Sequence, residues 1–493
     1  MLAELDFNRI EHWTGEDKNF WSEEFSELQL GDARLDQRFL RLIQSFSDHP
    51  GSSIYEAAGS WGQAKAAYRF LDHESVDAHT ILSQHRVKTW ERMKSHSTVL
   101  AIQDTSLLNY NSHPFTRGLG SIGKHGSRKK PSQGLVVHST LAVGVDGTPL
   151  GLLDQQIWTR KSRSKKISSK QPSNKESAKW FNALQSSLPP KEEGSLCRVI
   201  TVADREADIS DWIQLQLEQR SDFIVRGKKQ RSLQTAHQSL LGHMLRLEPQ
   251  GEYELQIKQD EKGLGERWRK KRVSVQRRTA HLEIRFATVT LQASCKLSKA
   301  ARRCGLEKVS PLRLQCVYVR EKDPPRDAPE VEWLLLTNLP VNCIEQAQEV
   351  ILYYQRRWTI EVFHKALKSG CQVEACQLEE APRLIRYLTM KSLVAWRICQ
   401  MTYFHRNNPD VSCEIVLEPI EWKALYCRIH KSPQPPSSPP SVREAMIWIA
   451  QLGGFLARKG DGSPGILVMN RGWQKLIDLV PMYQLFQSAA TYG

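Results

Sequence analysis

Several things are scarce in this sequence. No apolar run is long enough to cross a bilayer: the longest nearly apolar stretch, Ala445 to Ala457, is interrupted by Gln451 and falls short of the roughly 20 residues that a spanning helix needs. The opening residues, MLAELDFNRIEHW, carry early acids and lack the basic-then-apolar layout of a secretory signal. The expectation is a cytoplasmic chain with no membrane partner. The ten cysteines contain no C-x-x-C pair, the closest being Cys371 and Cys376, so neither a zinc ribbon nor a thioredoxin-like motif is written and reduced thiols are expected. The fifteen histidines show no H-E-x-x-H or other paired zinc spacing. A metal ion would have to be held by oxygen ligands. Acidic charge is also in deficit: 54 Asp+Glu stand against 69 Lys+Arg, a formal charge of +15. Such a surface attracts polyanions, and nucleic acid is the first partner to consider.

What is present is a folded chain of about three domains, since 493 residues divide at roughly 150 per domain. With 40% hydrophobic and 25% charged residues, disorder through most of its length is excluded. Residues 1 to about 70 read as helical. LGDARLDQRFLRLIQSFSDHP has apolar positions at three- and four-residue steps, its polar face carries Arg34, Arg38 and Arg41, and Pro50-Gly51 ends the pattern. Strand patterns follow at 97–106, 135–143 and, after an Asp146-Gly147 turn, 148–158. A basic stretch from Arg160 to Gln171 precedes Ser173 and Glu176, which spell a capping box for a helix through Trp180 and Leu184. Strands at 198–204 and 222–227 with a helix near Ile209–Leu217 between them make an α/β block.

From about 228 to 330 short β-like runs alternate with basic segments, which reads as an inserted β-rich subdomain with a basic edge at 267–278. EWLLLTNL (332–339) is a buried strand, Ile344–Ser369 a long helix ended by Gly370, and more helix runs to about Asn407. PQPPSSPP (433–440) is a linker or exposed loop, and Ser441–Gly493 a small helical unit.

Within the long helix, Tyr354, Arg357, Glu361 and Lys368 lie at offsets 0, 3, 7 and 14. At about 100° per residue they fall in a sector of about 60°, on one face. Tyr354 and Lys368 each lie about 10 Å from Glu361 along the axis, too far for all four to serve one ion. The spacing suits a carboxylate at a reaction centre with phosphate-binding donors on either side; it also suits a solvated charged face. Asp104 and Asp204 each close an apolar strand pattern, where side chains of neighbouring parallel strands converge at one sheet end; a turn or capping role is the alternative for each. With Glu361 they make a possible three-carboxylate site in an otherwise basic chain. Bare carboxylates repel phosphate, and two magnesium ions would neutralise them.

QDTSL around Asp104, ADREADI around Asp204 and YYQRRWTIEVFHKALKSG around Glu361 resemble the bacterial cut-and-paste transposases with an Asp-Asp-Glu site and a Tyr-Arg-Glu-Lys signature, whose spacing Y-x2-R-x3-E-x6-K is met without a gap. The resemblance implies an α/β, RNase H-like (retroviral-integrase-like) catalytic core with a β-rich insertion, between a helical N-terminal DNA-binding domain and a helical C-terminal domain. The corresponding divisions are 1–70 for end-DNA binding, 71–405 for catalysis with the insertion at about 228–330, and 406–493 for dimerisation. It implies that Asp104, Asp204 and Glu361 bind two Mg2+ ions, with Mn2+ as substitute. It further implies that Tyr354, Arg357 and Lys368 hold the transferred-strand end and its terminal phosphate, and that Arg34 and Arg38 face the end sequence. Trp333, 28 residues before Glu361, would receive a flipped base; amid Leu334, Leu335 and Leu336 it also reads as core. The expected partners are double-stranded DNA, as element ends and target, and a second copy in a synaptic dimer; the expected setting is the bacterial nucleoid. Two other readings stay open on the carboxylates: a metal-dependent nuclease without strand transfer, and a DNA-binding protein that has lost catalysis.

Overall fold

The computed structural model describes residues 20–123, 131–160, 176–188, 197–234, 239–257, 278–293, 296–325, 329–458, 461 and 463–491. Its strands are β1 (Thr98–Asn109), β2 (Gly120–Gly123), β3 (Ser132–Gly144), β4 (Pro149–Trp158), β5 (Arg198–Ala203), β6 (Asp222–Arg226), β7 (Gly251–Ile257), β8 (Arg278–Leu291), β9 (Leu312–Glu321) and β10 (Glu332–Thr337). The chain divides into two compact units, the described parts of Met1–His96, Thr105–Lys166 and Thr359–Gly493 forming one, and those of Ser97–Asp104 and Ile167–Trp358 the other. Strand β1 contributes its second half to the first unit and its first half to the second.

In the first unit the N-terminal sequence from Phe20 onward folds as expected into helices, residues 1–19 lying outside the described residues. Ala33–Asp48 is capped by Asp32, whose side chain accepts the Arg34 N–H, and buries Phe39, Leu42, Ile43 and Phe46 at helical steps. Ser53 and Glu56 form a capping box on Ile54–Ala58, and Trp61–Asp72 and Ala78–Met93 follow. Strands β3 and β4 pair antiparallel around the Asp146-Gly147 turn, where Asp146 Oδ1 accepts the Thr148 N–H. The second half of β1 runs beside β3 so closely that a Cβ on Gly134 would stand 1.9 Å from Leu108 O. The helix Ala381–Asn407 is buried on nearly every side from Tyr387 to Thr402, the signature of a helix at the centre of a unit. Its buried Lys391 donates Nζ to Pro50 O at 2.9 Å and packs on Phe46 and Tyr387. Helix Val442–Leu452 opens on a Ser441–Glu444 capping box and crosses helix Ile466–Thr491 at two glycines. A Cβ on Gly472 would meet Ile449 O at 1.8 Å, and one on Gly453 would meet Val468 O at 2.1 Å.

The second unit is built on one mixed sheet. The first half of β1 lies parallel to β5 and β5 parallel to β6, with helix Ser210–Glu218 as the crossover. β10 then pairs antiparallel with both β6 and β9, and β8 and β7 continue the order. Trp180, Trp212, Phe223 and Tyr318 lie in the core on one face, with Trp212 Nε1 donating to Trp180 O at 2.9 Å.

Three expectations change. The 228–330 stretch is not a separate β subdomain, because its strands extend the same sheet through β9 and β10, paired from Glu332↔Arg320 to Thr337↔Gln315. The helix expected to open on Ser173 and Glu176 begins at Ala178, after Ser177, whose side chain makes no cap bond; Ser173 lies outside the described residues. The single helix Ile344–Ser369 is three pieces: helix Ile344–Gln355, helix Trp358–Lys365 and a π turn Ala366–Gly370. The N–H groups of Arg356 and Arg357 turn to carbonyls three residues back, Tyr353 and Tyr354. That tightening ends the first helix. The basic stretches 160–170 and 267–278 fall, apart from Arg160 and Arg278, outside the described residues.

Candidate active site

The parallel pairing of β1 and β5 sets two carboxylates side by side. The strands run in register from Thr98↔Arg198 to Gln103↔Ala203. The next residue on each is an aspartate, Asp104 and Asp204, on neighbouring strands about 4.8 Å apart. Asp104 does not end its strand as expected, since β1 continues to Asn109; what ends there is complete burial, which holds from Val99 to Gln103. Asp204 does stand just past its strand, and its Oδ1 accepts the Glu206 N–H at 2.9 Å, capping the turn Arg205–Ala207. Burial pushes the Asp204 carboxyl up from the usual carboxylate range. The Glu206 N–H opposes this, the charges of Asp104 and Glu206 add to it, the Arg357 guanidinium opposes it, and the balance remains upward. Two adjacent carboxylates are a donor set that suits a hard divalent cation. Among the described residues no three His, Cys, Asp or Glu side chains stand together as a metal-binding group.

Tyr354, Arg357 and Trp333 gather in the same unit. Tyr354 is buried, its ring edge-on to Trp333 with centroids 5.3 Å apart and beneath the Arg357 guanidinium at 5.9 Å. Trp333 is half-buried on β10, between the core and base-stacking alternatives. Burial raises the Tyr354 pKa, Arg357 and Arg226 work against that, and the charge of Asp204 adds to it. The phenol therefore stays protonated and able to donate at neutral pH. Arg226, a cation within electrostatic reach of this cluster, was not singled out from the sequence. It closes β6 and donates Nη2 to Glu332 O at 2.8 Å, and its one signal was a basic residue ending an apolar strand.

The interruption at Arg356-Arg357 means that the angular argument, which holds only along an unbroken helix, does not carry from Tyr354 and Arg357 to Glu361 and Lys368. Glu361 and Lys368 belong to the first unit. Glu361 is half-buried in the first turn of Trp358–Lys365, where a carboxylate also favours the helix dipole. Lys368, on the π turn, donates Nζ to Leu107 O at 2.9 Å and pairs with Glu374 at 3.5 Å. Arg34 and Arg38 stand one turn apart on Ala33–Asp48. The Arg34 side chain is 93% exposed beside its helix cap Asp32, and Arg38 Nη1 donates to Gln63 Oε1 at 2.8 Å.

Comparison with protein families matches three successive stretches of the chain: a transposase DNA-binding model over residues 17–76, a transposase DDE domain over 152–397 and a transposase Tn5 dimerisation domain over 393–491. Arg34 and Arg38 fall in the first. Asp204, Trp333, Tyr354, Arg357, Glu361 and Lys368 fall in the second, and Asp104 precedes it. These domains make the protein one that binds DNA and forms dimers, and the DDE domain implies an RNase H-like core and dependence on a divalent metal. Among the described residues no helix is long and apolar enough to cross a membrane.

Proposed function

Because the chain is a DNA transposase assembled from Tn5-type domains, we propose that it cuts the ends of a mobile element through a hairpin intermediate and joins the freed 3′ ends to target DNA. The observation that carries this reading is the Asp104–Asp204 pair, set at matching positions on parallel strands, with the Asp204 carboxyl pushed up by burial, in a chain of charge +15. Asp104, Asp204 and Glu361 would hold two Mg2+ ions, with Mn2+ as substitute. The place of Glu361 rests on the signature spacing and on its standing four residues after Arg357, the cation beside Asp204. Ions bound there would activate the attacking oxygen and stabilise the leaving one.

The chain's own residues orient the DNA. Water attacks first and the freed 3′ hydroxyl afterwards. Arg357 offers a guanidinium fork to a phosphate beside the carboxylates, Tyr354 donates from its protonated hydroxyl, Lys368 supplies a point charge, and Trp333 presents a ring to an unstacked base. Arg34 and Arg38 meet the element end, while the C-terminal helices pair two protomers so that each cuts the end held mainly by the other. We propose the functional divisions 1–70, 71–405 and 406–493. We also propose kinship with the insertion-sequence transposase of the kanamycin-resistance composite transposon.

The test is joining of pre-cut ends to target DNA with Mg2+. Asp204→Asn and Glu361→Ala should abolish both cleavage and joining while leaving end binding intact. Full activity in Glu361→Ala removes it from the site. Release of cut ends by the unmodified protein without a joined product identifies a nuclease, and binding with neither identifies a DNA-binding protein without catalysis.

A further inference from the structure

We propose that Glu374 is a positioning residue: it fixes the Lys368 ammonium at the end of β1, ready for a phosphate of the element end. This rests on the reading of Lys368 as a phosphate contact. A lysine ammonium is a point charge on a flexible four-carbon stem, and it serves a defined phosphate well only if its place is fixed by its surroundings. Here the supports are visible. Lys368 Nζ donates to Leu107 O at 2.9 Å. Glu374 Oε1 lies 3.5 Å from the same Nζ and accepts the backbone N–H of Asn109 at 2.7 Å. One carboxylate oxygen therefore touches both the ammonium and the strand that presents Leu107.

The carboxylate is itself held. Glu374 sits on the short turn Val373–Ala375, to which the chain leaving β1 is stitched. The buried Tyr110 hydroxyl donates to Val373 O at 2.9 Å, and His113 Nε2 donates to Glu374 O at 2.9 Å. Farther along, Thr116 Oγ1 donates to Leu378 O at 2.9 Å and the Arg117 N–H to Glu379 O. Yet the pair is not sealed. The side chains of Lys368 and Glu374 are 32% and 31% exposed, and they line an open polar groove with Ser112, His113, Gln372 and Gln377. The ammonium has three donors, and the supports leave one for an incoming oxygen. The two duties of Glu374 are also separable: an amide can accept the Asn109 N–H, whereas only a carboxylate supplies charge to Lys368.

The experiment is the joining reaction with Glu374→Gln, Lys368→Met and the double variant, on natural pre-cut ends and on ends whose phosphate at the cut is an uncharged methylphosphonate. Thermal melting of each full-length variant is recorded alongside. Glu374→Gln should lower kcat/KM on natural ends about fivefold, show no such loss on the methylphosphonate end, and add nothing in the Lys368→Met background. Glu374→Asp, which keeps the charge, should recover part of the activity and gives the same readout if the Gln variant does not fold. Equal losses on both ends, additive losses in the double variant, or an Asp variant as impaired as Gln assign Glu374 a structural role and overturn the proposal. If Lys368→Met is impaired while Glu374→Gln is not, this inference alone fails. If Lys368→Met joins ends at the unmodified rate, the phosphate role of Lys368 fails and this inference with it.

Discussion

The substitution Glu24→Gln keeps the size of the side chain and one acceptor while removing its charge. Glu24 is buried and takes two bonds from Arg92, Nη1 to Oε2 at 2.7 Å and Nη2 to Oε1 at 3.0 Å, with His85 Nδ1 2.5 Å from Oε1. The Leu152 N–H points at His85 Nε2, so Nε2 accepts and the proton sits on Nδ1, facing Glu24. Burial holds His85 below its ordinary pKa, so the imidazole is neutral and Arg92 carries the countercharge. Burial alone would raise the Glu24 pKa; Arg92 and the His85 bond more than reverse it, to about 2 from an ordinary 4.5. That depression contributes about 3 kcal/mol at neutral pH, and removing one partner of a buried pair costs about 3–5 kcal/mol. Because Gln retains one acceptor, the expected loss is about 3 kcal/mol.

Urea unfolding followed by tryptophan fluorescence measures it, with Trp396, whose ring lies 4.6 Å from that of His85, as a local reporter. The sign with pH is fixed. A depressed carboxyl stabilises above the unfolded value of 4.5 and loses that contribution as pH falls through 2, so the gap between the two proteins should shrink by more than half by about pH 3. A gap below about 1 kcal/mol at pH 7, or one that is the same at pH 3, refutes the reasoning.

Substituting Arg34 or Arg38 by Ala should weaken end binding and lower the slope of log affinity against log salt by about 1 for each phosphate contact removed. Anisotropy titrations at several salt concentrations decide this; an unchanged slope with weaker binding would mark a base contact instead. Gly472→Ala places a methyl 1.8 Å from Ile449 O and forces two helices of the dimerisation region apart. Its cost should exceed about 2 kcal/mol, seen as a lower melting midpoint by circular dichroism and weaker self-association by sedimentation.

Much of the sheet was legible because its strands contain dense apolar runs: VLAI, LVVHSTLAV, VITVA and LLL lie within β1, β3, β5 and β10. The Asp104–Asp204 adjacency was legible in kind, since both acids follow such runs, but the register that pairs Gln103 with Ala203 is a tertiary fact. The break at Arg356-Arg357 was not legible. Arginine is a good helix former, and the interruption comes from local i→i−3 bonding, which no residue type announces. Glu374, Arg226 and Glu24 escaped for a different reason. Their partners, Asn109, Glu332 and Arg92, lie 265, 106 and 68 residues away, and single charged residues at such separations form no pattern along the chain. The insertion misled through its composition: alternating short strands look the same whether they close on themselves or prolong a neighbour.

Strand β10 exchanges backbone bonds with β6 on one side and β9 on the other, and β9 is braced by β8 over ten paired positions, Leu282↔Glu321 to Leu291↔Leu312. A shortened protein lacking residues 228–330 would leave one flank of β10 bare, a row of unsatisfied amides and carbonyls beside Leu334, Leu335 and Leu336. Exposed flanks of that kind recruit other chains and aggregate. Pruning this stretch thus requires a new cover for β10, such as a helix, a proline or a lysine-rich rim, before any compact derivative of the enzyme can stay dispersed.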